Sequence, residues 1–351
     1  MSERWLSELS RQGAEFADGR IVTFGGDAAT GFAALENGAV MCDLSHLGLI
    51  AVSGADAASF LHGQFCNDIN ALGDIGAAND KVQWNGWCSP KGRLLATFLA
   101  WSGSHSLFLM LPRALQPAIQ KRLQMFVLRA KVTLADASDE WVRFGVAGPN
   151  AEALLRDAFG EIPSGVMSST HTADARLIRL SATRFIVQAN AETAINLWNQ
   201  LAGKATKVGA PLWDWLSIHE GIVTVLPQTQ DAFVPQMANF ELIGGVNFKK
   251  GCYPGQEIVA RTQYRGILKR RMALAHLNVA NPPTPGEKLY SAEFGDQAAG
   301  EIANVAAAPA GGFDMLIVAQ RSAIAAENIR YAAIDGAVVS IQKLPYDIPS
   351  G

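Results

Sequence analysis

The stretch from Asn247 to Arg271, NFKKGCYPGQEIVARTQYRGILKRR, decides how this chain is read. It carries Lys249, Lys250, Arg261, Arg265, Lys269, Arg270 and Arg271 against one acid, Glu257, so seven of the chain's 29 basic side chains fall in 25 residues. Cys252 lies among these charges, with Gly251 before it and a compact Pro254-Gly255 turn after it that keeps the sulfur approachable. Neighbouring positive charge favours thiolate chemistry, which makes Cys252, with Lys250 beside it, the candidate reactive group. Composition alone is equally compatible with a small buried side chain beside a solvated basic edge.

Working outward, the chain has 351 residues, 49% hydrophobic and 17% charged, with 29 Lys+Arg against 32 Asp+Glu for a net charge of −3. That length implies two or three domains. The apolar content excludes general disorder, and the near-neutral balance excludes a protein that coats nucleic acid through bulk charge. The charge is segregated, however. No Asp or Glu occurs from Lys81 to Ala135, where there are eight Lys or Arg. A charged fraction below the usual ~25% points to extensive buried surface or a large apolar cleft.

The N-terminus, MSERWLSELSRQGAEF, lacks the features of a signal peptide. Runs such as SLFLML and MLIVA are too short to span a bilayer and read as buried strands, so no membrane association is expected. Cys42, Cys66, Cys88 and Cys252 form no CxxC pair, so no metal site is expected. Free thiols suit a reducing cytoplasm.

Leu47 to Val52 reads as a strand and Ala55 to Leu61 as the start of a helix. Leu94–Ala100 and Ser106–Met110 read as a hairpin around Ser102, Gly103 and Ser104. Leu115, Ile119, Leu123 and Phe126 fall at helical intervals, with Arg113, Lys121, Arg122 and Arg129 on other faces. A second αβ unit spans roughly 141–205. Beyond the proline-rich NPPTPGEKL, short apolar stretches punctuated by glycine suggest a small β-barrel. The expected architecture is α+β, with an αβ region of two intertwined subdomains over 1–268 and a C-terminal barrel over 269–351.

The order of residues in KGCYPGQE, followed by VAR and YRGILKRR, resembles the signature KGCYxGQE of the YgfZ family of folate-binding proteins. That family is related to the T-protein (aminomethyltransferase) of the glycine cleavage system. Lys250, Gly251, Cys252, Tyr253, Gly255, Gln256 and Glu257 fill every specified position. CDLSHLGLIAVSGADAASFLHGQFCNDINAL resembles the family's N-terminal block, and LSIHEGIVTVLPQTQDAFVPQMANFELIGGVNF the segment leading into the signature.

The resemblance implies a T-protein-like multidomain fold with tetrahydrofolate or another folate as cofactor. It also implies an accessory role in assembling or repairing iron–sulfur clusters, including those of enzymes that thiolate tRNA. Cys252 would then act on a cluster, a persulfide or a partner's thiol. Ile218-His219-Glu220-Gly221 resembles the T-protein motif whose glutamate lies by the pterin, so Glu220 is the candidate for the pterin's 2-amino and N3 edge. Asn67, Asp68, Gln236, Asn239, Tyr253 and Gln256 are candidate polar contacts, each also readable as a turn or capping residue. Arg93 in PKGR, with Lys91, Lys250 and Arg261, is a candidate for the glutamate tail or a phosphate. Trp84 and Trp87 are candidate stacking surfaces, though hairpin tryptophans are more often core. His219 reads as a half-buried helix residue.

T-proteins use a catalytic aspartate near the first hairpin, but the matching NGWCSPKGRLLATFLAW has no acid. This counts against classical aminomethyl transfer, which stays as the alternative function. Direct tRNA binding by the basic runs 113–131 and 249–271 is a further one.

Overall fold

The computed structural model describes residues 2–76, 80–266 and 268–349. The chain divides into two compact units, each assembled from separated segments. The first comprises Met1–Ala58, Asn70–Gln83 and Leu99–Trp213; the second comprises Ser59–Ile69, Trp84–Phe98 and Asp214–Gly351.

The first unit is built on a six-stranded sheet in the order Ser168–His171, Ala175–Arg179, Arg184–Ala189, Val142–Ala147, Val40–Asp43, Thr206–Val208. Only the last pair is parallel, Thr206 facing Val40. The helices Glu3–Arg11, Ala151–Phe159 and Ala191–Leu201 place apolar residues at helical spacing into this unit's core. Trp5 and Leu9, four apart and fully buried, are one such stripe. The Trp5 ring meets Trp198 edge-on at 5.3 Å, and its Nε1 donates to Asp43 Oδ1 at 2.7 Å, so the indole is buried with its donor satisfied.

The predicted strand and hairpin are present as Leu47–Ser53, Leu94–Ser102 and Leu107–Pro112. Leu99 faces Met110 and Leu47 faces Pro112 in antiparallel ladders. The basic helix runs Gln116–Gln124 and buries Ile119 and Leu123. Phe126 departs from the expected stripe: the helix ends before it, and the ring is 43% exposed.

The second unit contains a six-stranded sheet in the order Arg330–Tyr331, Lys288–Tyr290, Gly300–Ala307, Phe313–Gln320, Arg270–Leu277, Val339–Gln342. Arg330 bridges Val338, and Val339 N donates to Ile329 O at 3.0 Å. The two edge strands are thereby joined and the sheet curls into the small barrel expected from the glycine-punctuated tail, leaving little open edge. Its inward row of Ala275, Leu277, Ile302, Met315, Ile317 and Val339 is fully buried. Among the described residues, no helix is long and apolar enough to cross a membrane.

Candidate functional site

The signature forms a turn followed by a helix. Gln256 N donates to Tyr253 O at 3.2 Å across Pro254 and Gly255, and Gly255 has φ +81° and ψ 1°. These are the features of a type II turn, which takes proline second and glycine third. The helix Gln256–Arg265 starts directly from it, with Glu257 in its first turn where the helix dipole favours an acid. Gln256 is half-buried at the first helical position, while Gly251 and Cys252 are exposed ahead of the turn. Cys42, Cys66 and Cys88 are buried. The reading of Cys252 as a buried apolar side chain is therefore excluded.

A second tight turn supports the first. Gly92 N donates to Ser89 O at 2.8 Å, and Ser89 N to Arg93 O at 2.8 Å, closing the SPKGR hairpin. A Cβ at Gly255 would lie 2.3 Å from Ser89 O and 2.7 Å from Gly92 Cα, so the two turns interlock backbone to backbone. Ser89 Oγ donates to Asp231 Oδ1 at 2.7 Å, and the Arg93 guanidinium donates to Ala232 O. Arg93 thus pins the segment 231–233 to this hairpin.

Lys250 is 8% exposed, and its Nζ donates to the backbone oxygens of His62 and, at 2.6 Å, Phe65. These carbonyls lie at the end of helix Ala57–Gln64, where a cation is favoured by the dipole and by the unpaired oxygens. The ammonium also lies 5.0 Å from the Tyr253 ring centroid. Burial pushes its pKa down to about 8 against the opposing pull of Cys66, Asp68 and Cys252. Tyr253 is buried, and its phenol is pushed up by that burial. Lys250 therefore ties the signature to the preceding helix and brings a buried positive charge close to the exposed thiol.

The same helix end carries His62, whose Nδ1 is 3.1 Å from Asp68 Oδ1, and both side chains are partly exposed. His62 Nε2 faces Gly251, where a Cβ would be 3.5 Å away. Asn67 is engaged by the fold: its Nδ2 donates to Trp84 O at 2.8 Å and Gly244 O at 2.7 Å, and its Oδ1 accepts from Asp68 N. Asp68 Oδ1 is set against His62, an arrangement with no local sequence signal because His62 reaches the signature only through the fold. Cys66 donates to Gly245 O at 3.3 Å, and its contact together with burial pushes the Cys88 thiol up. Trp87 is core, while Trp84 is half-buried.

Glu220 follows helix Ala210–His219 and is half-buried. Gly221 N donates to Ile218 O at 3.0 Å and Ile222 N to Ser217 O at 2.9 Å, while Gly221 takes φ +66°. This is a left-handed helix cap, and Tyr346 Oη donates to Gly221 O at 2.8 Å. His219 is half-buried, as expected. Its Nε2 is 2.8 Å from Asp314 Oδ2, which also accepts from Trp215 Nε1 at 2.8 Å, while His276 Nδ1 is 2.8 Å from Asp314 Oδ1. Asp314 is 3% exposed. Burial alone would raise its carboxyl, but the bonds from His219, His276 and Trp215 outweigh that and hold it below the ordinary carboxylate range. Asp314 and His276 lie about 95 and 57 residues beyond His219, and no spacing rule connects them.

Gln236 and Asn239 are buried in the frame. Gln236 Nε2 donates to Val259 O at 2.8 Å, and Asn239 Nδ2 to Met272 O at 3.1 Å. Asn239 caps its short helical turn at φ +54°, a conformation asparagine tolerates. Arg271 Nη1 donates to Gln236 O at 2.7 Å, Asn239 Oδ1 at 3.1 Å and Glu241 Oε1 at 2.6 Å. The basic cluster is therefore divided. Lys250 and Arg271 are buried and structural, whereas Lys249, Arg261 and Lys269 are exposed. The Arg265 side chain lies outside the described residues. The basic run 113–131 belongs to the first unit and 249–271 to the second.

The family model described as the GCVT N-terminal domain matches residues 25–185. The tRNA-modifying protein YgfZ of Yersinia pseudotuberculosis serotype O:1b (strain IP 31758) is 31% identical over 251 residues, 71% of this chain and 74% of the relative. That of Enterobacter sp. (strain 638) is 29% identical over 319 residues, 88% and 93% of the two chains. The glycine cleavage system aminomethyltransferase T from Bartonella henselae superposes with a TM-score of 0.80 at 18% identity, over 98% of this chain and 97% of that one. The α+β architecture with its C-terminal barrel is thus the aminomethyltransferase T fold.

Proposed function

The chain belongs to the YgfZ family, and from that premise we propose that it is a folate-binding accessory protein for the assembly or repair of iron–sulfur clusters, with Cys252 as its working thiol. The observation that carries this reading is the presentation of Cys252. Among the described residues it is the one exposed cysteine, displayed next to an interlocked pair of turns with the buried Lys250 two residues before it. Its three fellow thiols are inside the fold. One cysteine does not hold a cluster alone, so the thiol works together with a client or assembly partner. tRNA modification would depend on the protein through the iron–sulfur enzymes that thiolate tRNA.

The chemistry of the donor set fits a folate. Glu220 offers two acceptors to the pterin's paired donors, half-buried Trp84 offers a flat ring, and the exposed cations Lys91 and Arg261 suit the glutamate tail. When bound, tetrahydrofolate supplies a carrier for one-carbon units. Lys250, Arg93, Asn67, Gln236, Asn239, Tyr253 and Gln256 support this reading as the frame around the thiol and the Glu220 helix end. The run from Lys81 to Ala135 without a carboxylate counts against aminomethyl transfer.

Two measurements test the proposal. Cys252→Ala is expected to keep its folate affinity and melting temperature but fail to restore iron–sulfur enzyme activity in cells lacking the wild-type protein; full restoration would reject the thiol's role. Glu220→Gln removes one charged acceptor and is expected to weaken tetrahydrofolate binding by about 10- to 100-fold in calorimetry, in keeping with the ~1.5–3 kcal/mol of a charge-assisted hydrogen bond. Unchanged affinity would remove Glu220 from the site.

A further inference from the structure

A pocket of about 700 Å³ opens within the second unit, among helix Gln256–Arg265, strand Arg270–Leu277 and helix Arg321–Ala325. That volume falls in the ~300–1,000 Å³ range usual for small-molecule sites. Neither Cys252 nor Glu220 lines it. Gln236, Glu241 and Arg271 form one part of its wall, and their side chains are nine-tenths or more buried. Arg271 donates from Nη1 to Gln236 O, Asn239 Oδ1 and Glu241 Oε1. Its Nε, together with Glu241 Oε2 and Gln236 Oε1, is buried with no hydrogen-bond partner. Orphaned buried polar atoms cost stability and are uncommon in a folded core, so three in one wall mark a place built for something other than the fold.

The charges in the wall say what fits. The Nε–Nη2 edge of a guanidinium takes a carboxylate side-on, whereas Glu241 Oε2 and Gln236 Oε1 accept and so call for an ammonium. A simple anion would meet the Glu241 carboxylate and a simple cation the Arg271 guanidinium; a zwitterion satisfies both. Burial raises the Glu241 carboxyl despite the neighbouring Arg271, as it does for a carboxylate short of donors. The other charged groups of the lining are Lys269, Arg321 and Glu293, giving three cations against two acids. That excess suits a ligand with a second carboxylate. We propose that this pocket binds an acidic α-amino acid, its α-carboxylate on the free edge of Arg271, its ammonium on Glu241 Oε2 and Gln236 Oε1, and its side-chain carboxylate toward Lys269 and Arg321. The terminal torsion of a glutamate is soft, so Oε2 can turn to the ammonium while the carboxylate stays beside Arg271. The site depends on neither the folate reading nor the role of Cys252.

The test is isothermal titration calorimetry of the full chain with L-glutamate, with N-acetyl-L-glutamate, which lacks the ammonium, and with γ-aminobutyrate, which lacks the α-carboxylate. One-site binding of L-glutamate is expected to saturate by about 10 mM, with each analogue at least about tenfold weaker because it leaves one buried charge unpaired. Glu241→Gln should weaken L-glutamate about tenfold and N-acetyl-L-glutamate much less, since only the first brings an ammonium to that oxygen. Lys269→Ala, at an exposed side chain, should weaken L-glutamate about threefold and leave glycine unchanged. Absence of saturation by L-glutamate, or N-acetyl-L-glutamate binding as tightly as L-glutamate, overturns the proposal. Competition between L-glutamate and tetrahydrofolate overturns it as well, because the pocket would then belong to a folate site. Should Glu241→Gln fail to fold, the two analogues and Lys269→Ala decide. The titration involves no client protein and no thiol chemistry, so failure of the accessory function and failure of this inference are seen separately.

Discussion

Gly255→Ala is expected to destabilise the second unit by about 3 kcal/mol. Two costs combine: a left-handed conformation costs an L residue ~1–2 kcal/mol, and forcing a methyl into packed atoms costs a further ~1–3. Here the new methyl would lie 2.3 Å from Ser89 O and 2.7 Å from both Gly92 N and Gly92 Cα. All three are backbone atoms of a closed hairpin turn, so no side chain can swing aside. Thermal unfolding followed by circular dichroism should show a fall of roughly 6–12 °C, at ~2–4 °C per kcal/mol for units of this size. Cys252 lies three residues before the displaced glycine, so its alkylation rate should change as well. Gly63→Ala is the control: it sits in helix Ala57–Gln64, has nothing within 4 Å of the new methyl, and should be neutral or slightly stabilising. A Gly255→Ala protein that melts with wild type would mean that the two turns are not interlocked.

Asp314→Asn is expected to cost about 2–4 kcal/mol at pH 7. The carboxylate accepts from Trp215, His219 and His276 at 2.8 Å each, and an asparagine would turn an N–H₂ group toward donors. The sign of the pH dependence follows from the depressed carboxyl. A carboxylate held below its unfolded value of ~3.9 contributes stability that is fully present above that value and is lost as pH falls through the folded one. The urea midpoints of wild type and Asp314→Asn should therefore lie far apart at pH 7 and draw together as the pH falls below about 4. A gap that stays constant to pH 3 would show that ionisation of Asp314 contributes nothing. His219 directly precedes Glu220, so the same substitution should loosen the helix end and weaken folate binding, though by less than Glu220→Gln.

Much of the fold could be read locally. The strands Leu47–Ser53 and Leu94–Ser102 appear where apolar periodicity and turn residues put them. Phe126 shows the limit of periodicity, since a stripe does not reveal where the last backbone hydrogen bond is made. Asn67, Gln236 and Asn239 stood out as polar residues in family-like blocks, but their amides bond backbone groups 17 to 177 residues away. A polar residue that clamps the frame and one that meets a ligand look the same in one dimension.

By itself, the sequence determined the family, the compact turn at Pro254-Gly255, the single thiol in the signature and the glycine-punctuated barrel. Each depends on residue identity and short-range backbone geometry, which are properties of neighbours in the chain. Only the tertiary structure decided which charges of the 247–271 cluster are solvated and which are buried, because desolvation depends on what packs against a group. It also decided that Lys250 grips the helix carrying His62, that His62 Nε2 faces Gly251, and that Asp314 gathers two histidines and a tryptophan near Glu220. Hydrogen bonds and charge pairing act over a few ångströms in space and take no account of separation along the chain.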